Sequence, residues 1–548
     1  MWHRDAFFVS LCVIGLALTA SRLFQGQYLE ITHHEQDDVH SQQIQQVAGR
    51  VSNEFLSVWR KAKLKHAPLA DNLTIARRLS LALTGTVPAL EEIRSLQRIP
   101  KDRQLQWWTD RLLNDRRFSD YMAERLARAF VGTDGGPFVF YRRRRFVTWI
   151  SEQLQEDVAY DELVRRVISD EGVWTTDPAV NFVTVTASEN TKNQPDPIRL
   201  AGRTARAFLA MRIDCLQCHD DRLGNVQLGG KSQPRDGTQQ DFHRLAAFFA
   251  ATKTTILGIR DGEGEYQYRF LDKTDKEKVP PDAPFLNELL SNEGSQRERL
   301  ARWVTHRQNR PFARATVNRV WAILFGTPLV DPVDNISLHG PFPAAMETLA
   351  NDFIEHDYNL RRLIRIIVGS KPFRVDSRAS NFEVSDEHEQ NWSVFRLTRL
   401  RAEQVAGALI QSCSTKTIDA DAHIFSKLAR HFQEVEFVKR FGDLGENEFE
   451  DRGGTIGQRL LLMNGDLVKQ LTKKDLVGNA STRIAMLAQN DQRAIETAYL
   501  CVLSRHPTKR ESDHFLKRLS QSTGDNRSQL LEDLFWVLLN STEFSWNH

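Results

Sequence analysis

The stretch IRLAGRTARAFLAMRIDCLQCHD, residues 198–220, decides the fold and contains the candidate site. Its first part, residues 198–211, places apolar residues at the spacing of one helix face, which predicts an amphipathic helix. The helix leads directly into Cys215-Leu216-Gln217-Cys218-His219. A C-x-x-C-H run is typical of c-type haem attachment, in which two thiols bond the haem vinyl groups and the histidine ligates the iron. The sequence therefore predicts Cys215 and Cys218 as haem-binding residues and His219 as the metal ligand.

The sixth position of a haem iron is usually filled by methionine or histidine. His243 lies on the next predicted helix, across a glycine-rich loop at residues 224–237, and is the first candidate for this cofactor-binding role. His306 and His339 are further candidates. A five-coordinate or water-ligated iron would need none of them.

Other interpretations of the cysteine pair stay open. A structural zinc site usually shows a second Cys or His pair, and the other cysteines, Cys12, Cys413 and Cys501, are single and far apart. A thioredoxin-like dithiol needs a βαβ setting, whereas the flanks here are helical and polar. A Cys215–Cys218 disulfide in a non-catalytic envelope scaffold is the alternative function, since exported proteins permit disulfides.

The composition excludes few function classes. The 548 residues are 41% hydrophobic and 26% charged, as in globular proteins. The formal net charge is +2, so a nucleic-acid partner is not expected. The run Arg142–Arg145 could neutralise haem propionates or an anionic polymer, although most such runs are solvated. No phosphate loop, nucleophile elbow or H-E-x-x-H motif is present, and the sequence leaves open whether the chain is an enzyme.

The N-terminus predicts export. Arg4 precedes an apolar run at residues 6–20, which is shorter than the ~20 residues needed to span a bilayer and resembles the core of a signal sequence. We expect residues 1–24 to be an uncleaved signal anchor, with a cleaved signal peptide as the alternative. The protein is then expected in the cell envelope, held at the membrane by this segment.

The remaining chain predicts a mainly α protein with two helical domains and at most short β segments. A polar stalk at 25–67 precedes a first domain at 68–257, a charged linker at 258–295 and a second domain at 296–548. The linker is rich in Gly, Pro and charges, so it is predicted to be the protease-sensitive joint. The β-branched alternation at residues 181–188 predicts a short strand.

From Pro68 to His548 the chain resembles the planctomycete cytochrome c-like two-domain family, both of whose domains are of unknown function. The similar stretches are 77–79, 83–85, 88, 215–220 and 245–249 in the first domain, and 309, 311–314, 317–321, 324–326, 329–332, 334, 401–403, 503–505, 507–508, 540–541, 543–544 and 547–548 in the second.

The resemblance implies an exported envelope protein with one haem c and no settled activity. A role in electron transfer, with a redox partner protein of unknown identity, is the function expected from it. The family pattern usually runs C-x-x-C-H-D-H-P. Here Asp221 and Arg222 stand where the second histidine and the proline are expected.

Overall fold

The structure, a computed structural model, describes residues 35–133, 136–137, 139–414, 417–418, 434–449, 453–475 and 479–548. Gln45–His548 form one compact unit, distinct from Met1–Ile44. The predicted signal anchor, residues 1–24, lies outside the described residues. Within the described ranges, no helix combines the length and the apolar composition needed to cross a bilayer.

The described chain is mainly helical, as predicted. In its first half the helices are α1 (Glu35–Lys61), α2 (Asn72–Thr84), α3 (Leu90–Arg98), α4 (Gln104–Asn114), α5 (Arg116–Val131), α6 (Arg143–Gln155), α7 (Tyr160–Ser169), α8 (Asn181–Thr184), α9 (Pro197–Leu209) and α10 (Gln239–Ala246).

The second half is also helical. Its helices are α11 (Gln296–Val304), α12 (Arg310–Phe325), α13 (Ala344–Glu355), α14 (Leu360–Gly369), α15 (Lys371–Arg374), α16 (Asp386–Gln390), α17 (Ala402–Cys413), α18 (Ile456–Asn464), α19 (Asp466–Thr472), α20 (Ala480–Leu487), α21 (Asp491–Leu503), α22 (Lys509–Leu519) and α23 (Gly524–Leu539). Residues 434–441 are helical as well.

The β structure of the described residues is limited to antiparallel pairs of short strands. The pairs are β1 (Gln227–Gly230) with β2 (Gln233–Asp236), β3 (Thr252–Thr255) with β4 (Gly258–Asp261), β5 (Gln267–Tyr268) with β6 (Glu277–Lys278), and β7 (Thr398–Arg399) with β8 (Trp546–Asn547). The glycine-rich loop after the C-x-x-C-H segment is thus a hairpin, β1–β2.

Residues 181–188 do not form the predicted strand. The segment begins with the short helix α8, in which the Val185 amide donates to the Asn181 carbonyl at 3.1 Å. The Asn181 side chain also donates to the carbonyls of Trp174 and Pro178, at 2.8 Å each. Because residues 179–187 are buried throughout, their alternation did not mark one exposed and one buried face.

Part of the predicted stalk is packed into the compact unit. From Gln45 onward, α1 buries apolar side chains four residues apart, a spacing that lines one helix face: Val47, Val51, Phe55 and Trp59. The Phe55 ring stacks on Trp321, with centroids 5.6 Å apart. The Trp59 indole donates to the Asn391 carbonyl at 2.6 Å. This stretch therefore serves as core structure.

The predicted linker, 258–295, is also packed. It contributes β4, β5 and β6, and Ile259 on β4 is fully buried. Tyr266, Tyr268 and Phe270 turn to one side, while Gln267 and Arg269 between them are exposed. The segment is polar in composition, and most of its charged side chains are exposed. Its aromatic side chains nevertheless pack against the rest of the protein.

Buried arginines of α2 tie the beginning of the unit to its end. Arg78 is fully buried and donates to the backbone oxygens of Phe373 at 2.9 Å, Val375 at 2.8 Å and His548 at 2.7 Å. Its guanidinium lies 3.7 Å from the centroid of the Phe395 ring. A planar group with several fixed donors suits this arrangement of converging carbonyls.

A buried ionic network joins α5 to α17. Arg125 Nη1 and Arg401 Nε each donate to Glu403 Oε1, at 2.9 Å. Arg125 also pairs with Glu448. Burial alone would raise the pKa of Glu403, but Arg125, Arg401 and Arg128 lower it to about 2. The carboxylate is therefore charged in the folded protein at all ordinary pH values.

Glu403→Gln is expected to reduce the free energy of unfolding at pH 7 by about 3 kcal/mol, because the buried Arg125 and Arg401 each lose a charged partner. The folded pKa lies below the ordinary value of 4.5. The carboxylate's contribution is therefore present above pH 4.5 and is lost as the pH falls toward 2. Urea unfolding at pH 7, 4.5 and 3 should show a smaller loss in the variant than in the wild type. The exposed Glu152→Gln is the control, and parallel losses in both chains would contradict the assignment.

Candidate functional site

The C-x-x-C-H segment lies at the end of α9, which packs against α5, α10 and α12. The helix stops at Leu209 because Ala210 adopts a left-handed conformation, with φ 50°. Cys215 then sits in a short 3₁₀ helix, Asp214–Gln217, that packs on α10. A Cβ on Gly202 would lie 2.6 Å from Asp214 Oδ1, so a glycine there lets the segment fold back on α9.

Both thiols of the segment are available for bonding. Cys215 and Cys218 are exposed and are not linked to each other. Burial, followed by the charge of Asp221, raises the pKa of Cys215. A raised pKa keeps the thiol protonated, whereas dithiol oxidoreductases depend on a lowered one. The Cys215 thiol is therefore exposed but not activated for redox exchange.

His219 is exposed, and one ring nitrogen is held by the backbone. Its Nδ1 lies 2.8 Å from the carbonyl oxygen of Asp220. A carbonyl only accepts, so Nδ1 carries the proton and donates. Nε2 then keeps its lone pair. A histidine that donates through Nδ1 to a carbonyl is oriented to bind iron through Nε2.

The carbonyl of Gln217, in the middle of the segment, is held by several donors. Its oxygen lies 3.1 Å from His243 Nε2, 3.1 Å from Gln239 Nε2 and 3.3 Å from the Tyr268 hydroxyl. These donors come from α10 and β5, and we call them, with their carbonyl, the Gln217 clamp. The clamp fixes the peptide that precedes Cys218.

His243 is the centre of the clamp. The ring is fully buried and stacks on Tyr268, with centroids 3.4 Å apart. Burial lowers the pKa of His243, which favours the neutral ring. Nε2 must donate to the Gln217 carbonyl, so Nδ1 accepts the hydroxyl proton of Tyr266 at 2.8 Å. For His243 to be the sixth iron ligand, as predicted from sequence, the ring nitrogen that binds the iron would have to give up its present hydrogen bond.

The other predicted candidates lie apart from the clamp. His339 Nε2 lies 3.4 Å from the Leu228 carbonyl of β1. His306 accepts the Gln308 amide at 3.2 Å. In the described residues, no group of three or more His, Cys, Asp or Glu side chains is arranged to hold a metal ion.

Asp221, at the position of the expected second histidine, organises the loop. Its carboxylate accepts backbone amides from Val226 and from Leu223, the latter at 2.9 Å. These bonds lower the pKa of Asp221. Its neighbour Asp220 accepts the Gln239 amide at 2.7 Å, at the start of α10. The two aspartates therefore fix the exit of the segment toward the β1–β2 hairpin.

Exposed leucines flank the segment. Leu223, on the turn held by Asp221, is 85% exposed, and Leu271 is 76% exposed. The Leu271 amide donates to Gln239 Oε1 at 3.3 Å, which places it next to the Gln217 clamp. Haem c requires two thiols and an imidazole nitrogen, and the exposed Cys215 and Cys218 thiols with His219 Nε2 are groups of those types. The residues present fit the cofactor that the sequence predicts.

Sequence reasoning missed most of the clamp, and also Tyr266, which bonds His243. Gln239, Tyr266 and Tyr268 were not among the candidates, and Tyr266 and Tyr268 fall in the segment interpreted as a linker. The pattern Tyr-Gln-Tyr-Arg-Phe at residues 266–270 alternates aromatic and polar residues. That period of two indicates an extended segment with one buried face, and it could have identified these residues.

Comparisons with known proteins agree with the two-part organisation. Residues 50–254 match the family described as PSCyt2: Protein of unknown function (DUF1549), and this match contains the C-x-x-C-H segment. Residues 296–423 match PSD1: Protein of unknown function (DUF1553). Searches of the curated proteins and of the solved structures found no match. The boundaries at 68, 257 and 295 stay predictions. Both domains of the expected two-domain family are thus matched, and both are described as of unknown function.

Proposed function

We propose that the protein carries one covalently attached haem c and serves in electron transfer at the cell envelope. Cys215 and Cys218 would hold the cofactor through thioethers, and His219 would bind the iron. When bound, the haem would supply one-electron chemistry. The observation that carries the proposal is His219, which donates through Nδ1 to Asp220 and keeps Nε2 free beside two exposed thiols.

The Gln217 clamp supports this function by positioning. Haem attachment needs two thiols and an imidazole in a fixed relation, and precise sites depend on residues that lock their ligands. His243, Gln239 and Tyr268 hold the carbonyl between the two cysteines. We therefore assign His243 the role of a positioning residue.

The exposed site suits exchange with another protein. Cys215, Cys218 and His219 all lie on the surface, so a redox partner could approach the haem edge directly. We propose that residues 1–24 hold the protein at the membrane outside the cytoplasm. This location would give the thiols the compartment in which covalent haem attachment takes place.

The roles proposed for His219 and His243 can be distinguished experimentally. In protein made without haem maturation, His243→Ala should lower the free energy of unfolding by about 1–3 kcal/mol, because buried polar groups lose their partner. His219→Ala should change it by less than about 0.5 kcal/mol, because the side chain is exposed. Thermal and urea unfolding give both values.

In protein made with a c-type maturation system, changes at the same two positions should affect the haem spectrum in the opposite order. His219→Ala should change the Soret band through loss of the axial ligand, whereas His243→Gln, which keeps a donor, should leave the band unchanged. A Soret change with His243→Gln would instead make His243 an iron ligand. An unchanged spectrum in His219→Ala would contradict the proposed ligation.

A further inference from the structure

A basic cleft lies at the start of α6. Its volume is about 630 Å³, and its lining residues are Tyr141, Arg142, Arg143, Arg144, Arg145 and Thr148. Binding sites for small molecules commonly have volumes of about 300–1,000 Å³. The cleft is thus large enough for more than a simple ion, and its charge is of one sign.

Tyr141, one of the residues that line the cleft, has a buried hydroxyl group without a partner among the residues that the structure describes. The side chain is only 5% exposed, and its hydroxyl has no hydrogen-bond partner in the described part of the chain. Burial raises the pKa of Tyr141 to about 12, so the phenol keeps its proton. Leaving a buried hydroxyl without a partner costs free energy, and buried polar groups are nearly always satisfied. A bound acceptor would remove this cost.

The arginines occupy the unfavourable end of their helix. The first turn of α6 contains no acidic residue, and its N-cap, Arg142, makes no side-chain capping bond. The N-terminus of a helix carries partial positive charge, so cations there are destabilising and anions are favoured. Arg144 and Arg145, in this first turn, therefore oppose helix stability unless an anion binds.

The arginines of the run differ in their ion pairs. Arg143 is engaged by Glu124, with both nitrogen–oxygen distances at 2.9 Å. Arg144 and Arg145 are exposed and form no ion pair within the described ranges. These two guanidinium groups supply uncompensated charge and forked donors.

We propose that this cleft binds the phosphate or sulfate group of a small molecule. Arginine's planar donors match tetrahedral oxyanions, and amides at an uncapped helix N-terminus add further donors. The Tyr141 hydroxyl would donate to the same group. Neither family match assigns this site, and it does not depend on haem attachment.

Calorimetric titration of the full chain with inorganic phosphate and with sulfate, at constant ionic strength, tests the proposal. At least one anion should bind, and Arg144→Gln with Arg145→Gln should weaken binding by roughly tenfold or more. Tyr141→Phe should weaken binding severalfold while leaving the free protein equally or more stable. If Tyr141 had only a structural role, its replacement would not weaken binding without also destabilising the free protein.

The matched control is Lys509→Gln with Arg510→Gln. This exposed basic pair also begins a helix, α22, but that helix has a capping box at Thr508. Loss of this pair should leave the affinity for phosphate and sulfate unchanged. Equal weakening by both pairs would indicate nonspecific charge attraction and overturn the proposal, as would a folded protein that binds neither anion. If an anion binds as expected, comparing glucose 6-phosphate with glucose 6-sulfate identifies which group the cleft prefers.

Discussion

Cys215→Ser with Cys218→Ser is expected to abolish covalent haem attachment completely. A serine hydroxyl cannot form the thioether, and either cysteine alone would leave one bond at most. Both side chains are exposed, so the double variant should fold as the wild type does. After coexpression with a c-type maturation system, the wild type should give a peroxidase-active band on a denaturing gel. The double variant should give none.

The single variants provide the internal control for the cysteine pair. Cys215→Ser and Cys218→Ser should each retain reduced staining, and circular dichroism should show the same helix content in all chains. Full staining of the double variant would mean that the haem is bound elsewhere.

Arg78→Met should lower the free energy of unfolding by about 3 kcal/mol. Methionine keeps much of the buried volume but donates no hydrogen bond, so the backbone oxygens of Phe373, Val375 and His548 lose their donor. Each buried acceptor left unsatisfied costs about 1 kcal/mol or more. Urea unfolding should show a lower midpoint with an unchanged slope.

The matched control for Arg78 is Arg103→Met, an exposed arginine just before α4. Its effect should be below about 0.5 kcal/mol. Comparable stability of the Arg78 and Arg103 variants would show that the converging carbonyls find other donors, and that Arg78 does not tie α2 to the C-terminus.

The sequence predicts the helical class well because the relevant patterns are local. The apolar spacing at residues 198–211 indicated a helix, and the structure places α9 at Pro197–Leu209. Its end was predicted two residues too late because the left-handed turn at Ala210 has no sequence marker such as glycine. The prediction of a strand at 181–188 was wrong. Residues 181–187 are buried on all sides, so the alternation of polar and apolar residues did not indicate one exposed and one buried face.

The residues that would bind haem are close together in the sequence, whereas the residues that position them are not. Cys215, Cys218 and His219 are adjacent in sequence and can be identified by spacing alone. The Gln217 clamp depends on α10 and β5 meeting at one carbonyl, which only the folded chain brings about. The many charged residues of 258–295 indicated a linker. Aromatic residues within it pack on His243, which lies earlier in the chain, and this contact is not visible in the local sequence.

The most direct test of covalent haem attachment is the intact mass of the denatured wild-type protein after coexpression with the maturation system. The account predicts a mass increased by one haem, and fragments that carry the adduct on the peptide with Cys215 and Cys218. A chain without the adduct, lighter by two hydrogens because these cysteines are joined in a disulfide, would contradict it and favour the scaffold.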